Sequence, residues 1–235
     1  GKLTTVDTVV KKYMLNWPPH GNDTYLDLIE IKPLQREPLY KTAKDNTLGF
    51  IYFLQTKLGF KHIGPAEDEL NKGMALIPYH REGRRVRGVV RLNIEHIKTP
   101  YGFNLYKTGI AVGDYPVDHH HGQYPGNVPP IQFPPVPAFN IPMGALIPAK
   151  TDGLIVCDKG VSVSNIANGS TRLQPVVLLT GQAAGIMAAK CVKEEIQPRL
   201  LRIRGVQDSL LKLKCYIMPF ADVMPGDASW EAVQR

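Results

Sequence analysis

The stretch from Thr151 to Ala189 constrains the fold most, because it reads as three successive pieces of one strand-to-helix unit. Leu154-Ile155-Val156-Cys157 is a short continuous apolar run, the pattern of a strand buried on both faces. A loop from Gly160 to Gln174 follows, rich in Ser, Asn and Gly, with Arg172 near its end. Pro175 then opens a helix to about Lys193, since proline is favoured in the first helical turn, where its missing N–H costs nothing. The start of such a helix exposes unpaired N–H groups and carries partial positive charge, a natural place for an anion. Within it Gly181, Gly185 and Ala189 recur at i, i+4 and i+8. That smooth stripe admits close approach of a flat ligand, or equally of a neighbouring backbone with no ligand.

The rest of the chain supplies fewer regular elements. Residues 1 to about 45 read as irregular, with a dense turn signal at Asn16-Trp17-Pro18-Pro19-His20-Gly21-Asn22-Asp23. Helix is predicted from about Ala43 to Leu58, stopped by Gly59, and a short one from Ala66 to Asn71. Strand character follows in Val86 to Ile97 and again in Lys107 to Val117. Prolines between Gln123 and Pro142 exclude a central strand and predict an ordered extended loop. Helix also fits Val206 to Lys212 and the tail from Ala228. The class is therefore α/β in the mixed α+β sense.

Composition narrows the function classes. Apolar residues at 43% and charged residues at 21% are globular proportions and argue against disorder. A net charge of +7 suits an anionic partner or a solvated basic surface, and no nucleic-acid motif accompanies it. Cys157, Cys191 and Cys215 have no CxxC spacing, so they read as reduced, mostly buried thiols. The apolar window Val176–Ala189 is too short and too rich in Gly and Ala for a membrane span. Gly1-Lys2-Leu3 begins no charged-then-apolar leader, and the compartment stays open between cytoplasm, periplasm and secretion.

Three polar constellations are candidates for chemistry. In Asp118-His119-His120-His121, strand alternation would put Asp118 and His120 on one face. Asp118 would then orient His120 as a base for a substrate hydroxyl. A metal site and simple hydrogen-bonded loop histidines are the rival readings; for metal, neighbouring histidines point to opposite faces. Arg81, Arg84 and Arg85, with Glu82 among them, could clamp an acidic substrate group or form an internal ion pair. His20 with Asp23, beside Trp17, would line a pocket or merely pin a loop.

Several strings carry a resemblance. Ile141-Pro142-Met143-Gly144-Ala145-Leu146-Ile147-Pro148, Asp152-Gly153-Leu154-Ile155-Val156, Ser162 to Arg172 and Gly181-Gln182-Ala183-Ala184-Gly185 follow in order. With Pro78 to Arg85, Gly113 to His120 and the tail from Tyr216, they resemble the FAD-dependent oxidoreductase family, whose bacterial members are often labelled xanthan lyases. The match runs over nearly the whole chain. It implies a split Rossmann-like FAD domain with an inserted substrate domain. Residues 1–145 would be the substrate side, 146–195 the C-terminal portion of the cofactor domain, and 196–235 a helical extension.

By the same resemblance, FAD would meet Ser162, Ser164, Asn165, Arg172, Gly181 and Gln182, and hydride would pass between FAD and a small or saccharide substrate. A polysaccharide lyase, and a non-catalytic binding or structural module, are the alternatives. The chain holds no GxGxxG, the family's pyrophosphate fingerprint. It is therefore read as the C-terminal part of a longer flavoenzyme, needing a missing N-terminal segment, binding FAD weakly and inactive alone. One edge of the Leu154 strand would be left unpaired and invite a homodimer. Where relatives have Gly after the apolar run, this chain has Cys157-Asp158.

Overall fold

The computed structural model describes residues 2–7, 12–17, 21–120 and 132–235. They form two compact units: residues 1–80 with 120–130, and residues 81–119 with 131–235. The segments 146–195 and 196–235 both fall in the second unit. Both units mix short antiparallel strand pairs with helices, the mixed class that the order of strand-like and helix-like segments predicts.

In the first unit, strands β1 (Lys2–Asp7) and β2 (Lys12–Asn16) pair antiparallel, with Leu3 opposite Leu15. The N-terminal region is thus not irregular throughout. Helix α1 (Glu37–Lys57) starts six residues earlier than its apolar pattern indicates. Pro38 in its first turn and Glu37 at its positive end account for the early start. It stops where Gly59 takes a left-handed φ of +77°, and the Phe60 N–H closes back onto the Leu54 carbonyl at 3.1 Å. Residues 66–71 do not make a helix; Asn71 and Lys72 are both left-handed and break it into a 3-10 turn.

The second unit holds the main core. Helix α2 (Ile94–Lys98) is closed by a capping box in which Asn93 and His96 exchange hydrogen bonds. Strands β3 (Gly109–Gly113) and β4 (Phe139–Pro142) pair antiparallel and are buried almost throughout. Helices α3 (Asn165–Thr171), α4 (Gln174–Glu194), α5 (Ile203–Lys212) and α6 (Trp230–Gln234) pack around them. Val176, Thr180, Ala183 and Met187 give α4 a buried stripe at helical spacing, and Val206, Leu210 and Leu211 do the same for α5. Each fully buried side chain of this size contributes roughly 1.5–3 kcal/mol.

Two strands read from the sequence are not strands. Residues 86–92 send Val86, Val89, Val90 and Leu92 N–H groups alternately to the carbonyls of Gly160, Ile147, Gly144 and Ser162. Their bonds are divided between two flanking segments, so only single bridges form, Gly88 with Pro148 and Leu92 with Val163. Leu154–Cys157 runs as irregular chain: Leu154 is exposed, and Val156 makes a single backbone bond to Leu146. The strand expected to lead towards α4 is therefore not formed at residues 154–157.

Helix α4 is longer than the apolar window 176–189, and by length and composition alone it would cross a membrane. A core helix meets the same criterion, and the stripe from Val176 to Met187 lies in the core of this unit. All three cysteines are free; Cys215 is buried, which pushes its thiol pKa up, and the other two are half-buried.

Candidate functional site

The polar residues of the second unit gather on α3 and the turn that follows it. Ser164 caps α3, its Oγ accepting the Ala167 N–H at 3.2 Å. The first residue of the helix, Asn165, is tied to the 81–87 segment: its Nδ2 donates to Glu82 Oε2 at 2.7 Å. His119 completes a three-way knot. Its Nδ1 lies 2.9 Å from Glu82 Oε1 and its Nε2 lies 2.7 Å from the Asn165 carbonyl oxygen.

Both ring nitrogens of His119 face acceptors, an arrangement that the doubly protonated ring satisfies best. Burial alone would lower its pKa, but the Glu82 carboxylate and the backbone carbonyls outweigh burial and raise it. Burial likewise pushes the Glu82 carboxyl up, and the charges and hydrogen bonds of His119 and Arg85 prevail and hold it below its ordinary value. The ring of His119 is almost wholly enclosed.

Arg172 ends α3 with its guanidinium held by one residue. Its Nη2 donates to the Asp118 carbonyl oxygen at 2.7 Å and to Asp118 Oδ2 at 3.0 Å. The Arg172 side chain is 4% exposed, whereas that of Asp118 is 37% exposed, so the pair is buried on the cationic side only. Six buried side-chain polar atoms find no hydrogen-bond partner among the described residues, and four of them lie in the run 168–172: Asn168 Oδ1, Ser170 Oγ, Thr171 Oγ1 and Arg172 Nε. A fifth is Ser162 Oγ. Buried groups of this kind cost about 1–3 kcal/mol each when left unpaired, so their concentration here is a signature of something polar that satisfies them. Helix α4 begins two residues later, its N-terminus without a side-chain cap among the described residues.

The first unit contains a separate pair. His120 Nδ1 meets Asp23 Oδ2 at 2.5 Å, with the side chains 17% and 10% exposed. The segment from Asp114 to His120 is not a strand, so the face sharing of Asp118 and His120 does not hold. Asp118 is held by Arg172 in the second unit, and Asp23 meets His120 in the first.

The remaining predicted residues are placed as follows. Arg85 pairs with Glu82 at 3.5 Å, the Arg81 carbonyl accepts the Asn168 side chain at 3.4 Å, and Arg84 is exposed. Gln182 and Gly185 face outward, and a Cβ added at Gly181 or Gly185 would meet open space, so neither glycine is required by packing among the described residues. His20 and His121 lie outside the described residues. Asp158 has φ +62°. Aspartate is one of the few residues besides glycine that visits this region. The roles of His119, Gly169 and the Asp23–His120 pairing lie beyond the sequence reading; the partners are far apart in the chain and no local pattern links them.

Comparison with known families gives one decisive match: the model of the family described as FAD dependent oxidoreductase covers residues 3–210. The chain belongs to this family. The match spans both compact units, includes Glu82, His119, His120 and Arg172, and ends in α5. Flavin-dependent redox chemistry is the function that the family carries. No curated protein and no solved structure matches the chain. The residues of α3 and the α3–α4 turn fit the family's cofactor in kind, since FAD presents ring carbonyls, ring N–H groups and phosphates to buried donors and acceptors left unpaired here.

Proposed function

We propose that this chain takes part in hydride transfer between FAD and a small hydroxyl-bearing substrate, sugar derivatives among the candidates. The observation that supports the reading is the run of buried polar atoms from Asn168 to Arg172 that have no partner among the described residues, beside a start of α4 without a side-chain cap among them. FAD, when bound, would supply the two-electron acceptor.

The chain's own residues would do the rest. Ser162, Ser170 and Thr171 would donate or accept at polar edges of the cofactor. Arg172, fixed by Asp118, would offer its Nε–H and its charge. The α4 N-terminus would favour negative charge that builds up on reduction. Ser164 and Asn165 would act at one remove, the first as the cap of α3 and the second as its tie to Glu82. Arg84 and Arg85 would attract an acidic group on the substrate.

The test is flavin titration of the purified chain, followed by fluorescence quenching and by the visible absorbance retained after desalting. Saturable quenching that Arg172→Ala weakens by about tenfold or more supports the reading, since a hydrogen bond to a charged group is worth roughly 1.5–3 kcal/mol. Absence of quenching, or an affinity that Arg172→Ala leaves unchanged, overturns it. The same cuvette separates a polysaccharide lyase, whose unsaturated sugar product absorbs in the ultraviolet without any flavin.

A further inference from the structure

We infer that the outward row Arg87, Val89 and Arg91 of the second unit is a docking surface for an extended acidic segment of a partner protein, with two carboxylates flanking an apolar residue at alternate positions. The inference concerns this row alone and needs no cofactor.

The row is set by the way residues 86–92 are held. Exposure alternates along the segment: Arg87, Val89 and Arg91 are exposed, and Gly88, Val90 and Leu92 are covered. The inward positions have no slack. A Cβ on Gly88 would fall 2.7 Å from Ser162 Cβ, and one on Gly144 would fall 2.7 Å from Val90 Cγ2. The N–H groups of Val86, Val89, Val90 and Leu92 donate to flanking carbonyls, and the carbonyls of Arg87 and Leu92 accept from Ala149 and Ser164. A backbone bonded on both sides cannot roll over to bury the row. A partner therefore meets these side chains and not an open strand edge.

The two guanidinium groups make no hydrogen bond or ion pair among the described residues. From Arg84 to Lys98 the chain holds five basic residues and one acidic residue, Glu95. The acid that precedes them, Glu82, is taken by His119, Asn165 and Arg85. Lys150 follows Ala149, whose N–H bonds the Arg87 carbonyl, and adds exposed positive charge beside the row. The surface is complementary to negative charge.

Val89, 55% exposed between the two charges, decides the kind of partner. Guanidinium forks grip carboxylates and phosphates alike. A single-stranded nucleic acid is held by aromatic platforms under its bases as well as by charge, and residues 84–95 contain no aromatic side chain. An extended peptide turns every second side chain to the same face, the alternation that the row itself shows. The chain places Arg87 and Arg91 at most about 14 Å apart. One acidic side chain then meets each arginine, and the apolar residue midway covers Val89.

The test uses the full chain and an array of nonapeptides with two aspartates or glutamates four positions apart, an aliphatic or aromatic residue midway, and serine elsewhere. The tightest binder is labelled and titrated by fluorescence polarisation. Circular dichroism like that of the wild type certifies each variant as folded, as substitution of exposed side chains allows. Saturable binding supports the proposal when Arg87→Ala and Arg91→Ala each weaken it about threefold or more and their combination about tenfold or more, the range for exposed charge pairs. Val89→Ser is expected to weaken it about threefold. Lys193→Ala, an equal loss of charge at another exposed position of the unit, is expected to change it less than about twofold. An array without a binder overturns the proposal. So does binding that Lys193→Ala weakens as much, or that persists when the two acids are moved next to each other, since net charge alone would then be responsible. Labelled oligothymidylate, or phosphatidylserine vesicles, bound through Arg87 and Arg91 more tightly than any peptide would give the row to a nucleic acid or a membrane, and would overturn it equally.

Discussion

Gly169 has no room for a side chain because the ring of His119 occupies its place: an added Cβ would sit 2.9 Å from both Cδ2 and Nε2 of that ring. The Val117 side chain closes the same space at 2.9 Å. This pairing fixes where the imidazole lies against α3 and so where Glu82 and Asn165 can reach it. Gly169→Ala is expected to destabilise the second unit by about 1–3 kcal/mol, the usual cost of overfilling a packed position. Helix propensity would favour alanine by almost 1 kcal/mol, so a stabilised variant would mean that the ring moves aside freely. Urea unfolding followed by Trp230 fluorescence in a Trp17→Phe background reads the sign.

The knot of His119 and Glu82 predicts a stability maximum on the acid side of neutrality. His119 has a raised pKa when folded, so its contribution is complete below its unfolded value of about 6.5 and is lost as pH rises through the folded value. Glu82 has a lowered pKa when folded, so its contribution is complete above its unfolded value of about 4.5 and is lost as pH falls through the folded value. Between about 4.5 and 6.5 both are present. The urea midpoint should fall on either side of that window, and His119→Gln should remove the alkaline fall. An alkaline limb of the same steepness in His119→Gln would show that another group drives it.

The parts of the fold that were legible in the sequence are those whose partners are local. Pro175 and the spacing of Val176, Thr180, Ala183 and Met187 announce α4, and Gly59 announces the end of α1. The run 86–92 was misread because β-branched composition reports burial beside other chains, not whether the neighbours form one ladder. Leu154–Cys157 failed for the same reason, its apolar content being only partly buried. At the candidate site, loop composition marks the stretch 160–174 as polar. It could not say that Asp118 belongs to Arg172, or that the acid beside His120 is Asp23, since those choices are made by tertiary packing.

Asp158 sits in a left-handed turn that glycine would also suit. Its φ of +62° costs most side chains roughly 1–2 kcal/mol, and aspartate less. Asp158→Gly should therefore be neutral or stabilising by up to about 1 kcal/mol, and Asp158→Val should destabilise by more than that. Thermal unfolding of the two variants side by side reads the difference. If valine were tolerated as well as glycine, the turn at 158 would not be left-handed in solution.

Gln234 ties α6 to the segment that runs through Ile217 and Met218. Its Oε1 accepts the N–H groups of Ile217 and Met218 at 2.9 and 2.8 Å, and its Nε2 donates to the Met218 carbonyl at 3.1 Å, all with the side chain buried. Gln234→Ala would leave the N–H groups of Ile217 and Met218 without their acceptor, while the Met218 carbonyl keeps the Phe220 N–H at 3.0 Å; Ile217 itself lies in the core. The expected loss is about 2–4 kcal/mol, from the burial of groups without partners rather than from the bonds themselves. Gln234→Glu separates the two contributions: a carboxylate can accept from both N–H groups but cannot donate to the carbonyl, so it should recover part of the loss at neutral pH. Amide hydrogen exchange at Ile217 and Met218 makes the comparison local. Fast exchange in Gln234→Ala with slow exchange in Gln234→Glu is the expected result, and equal protection in both variants would show that water can replace the glutamine there.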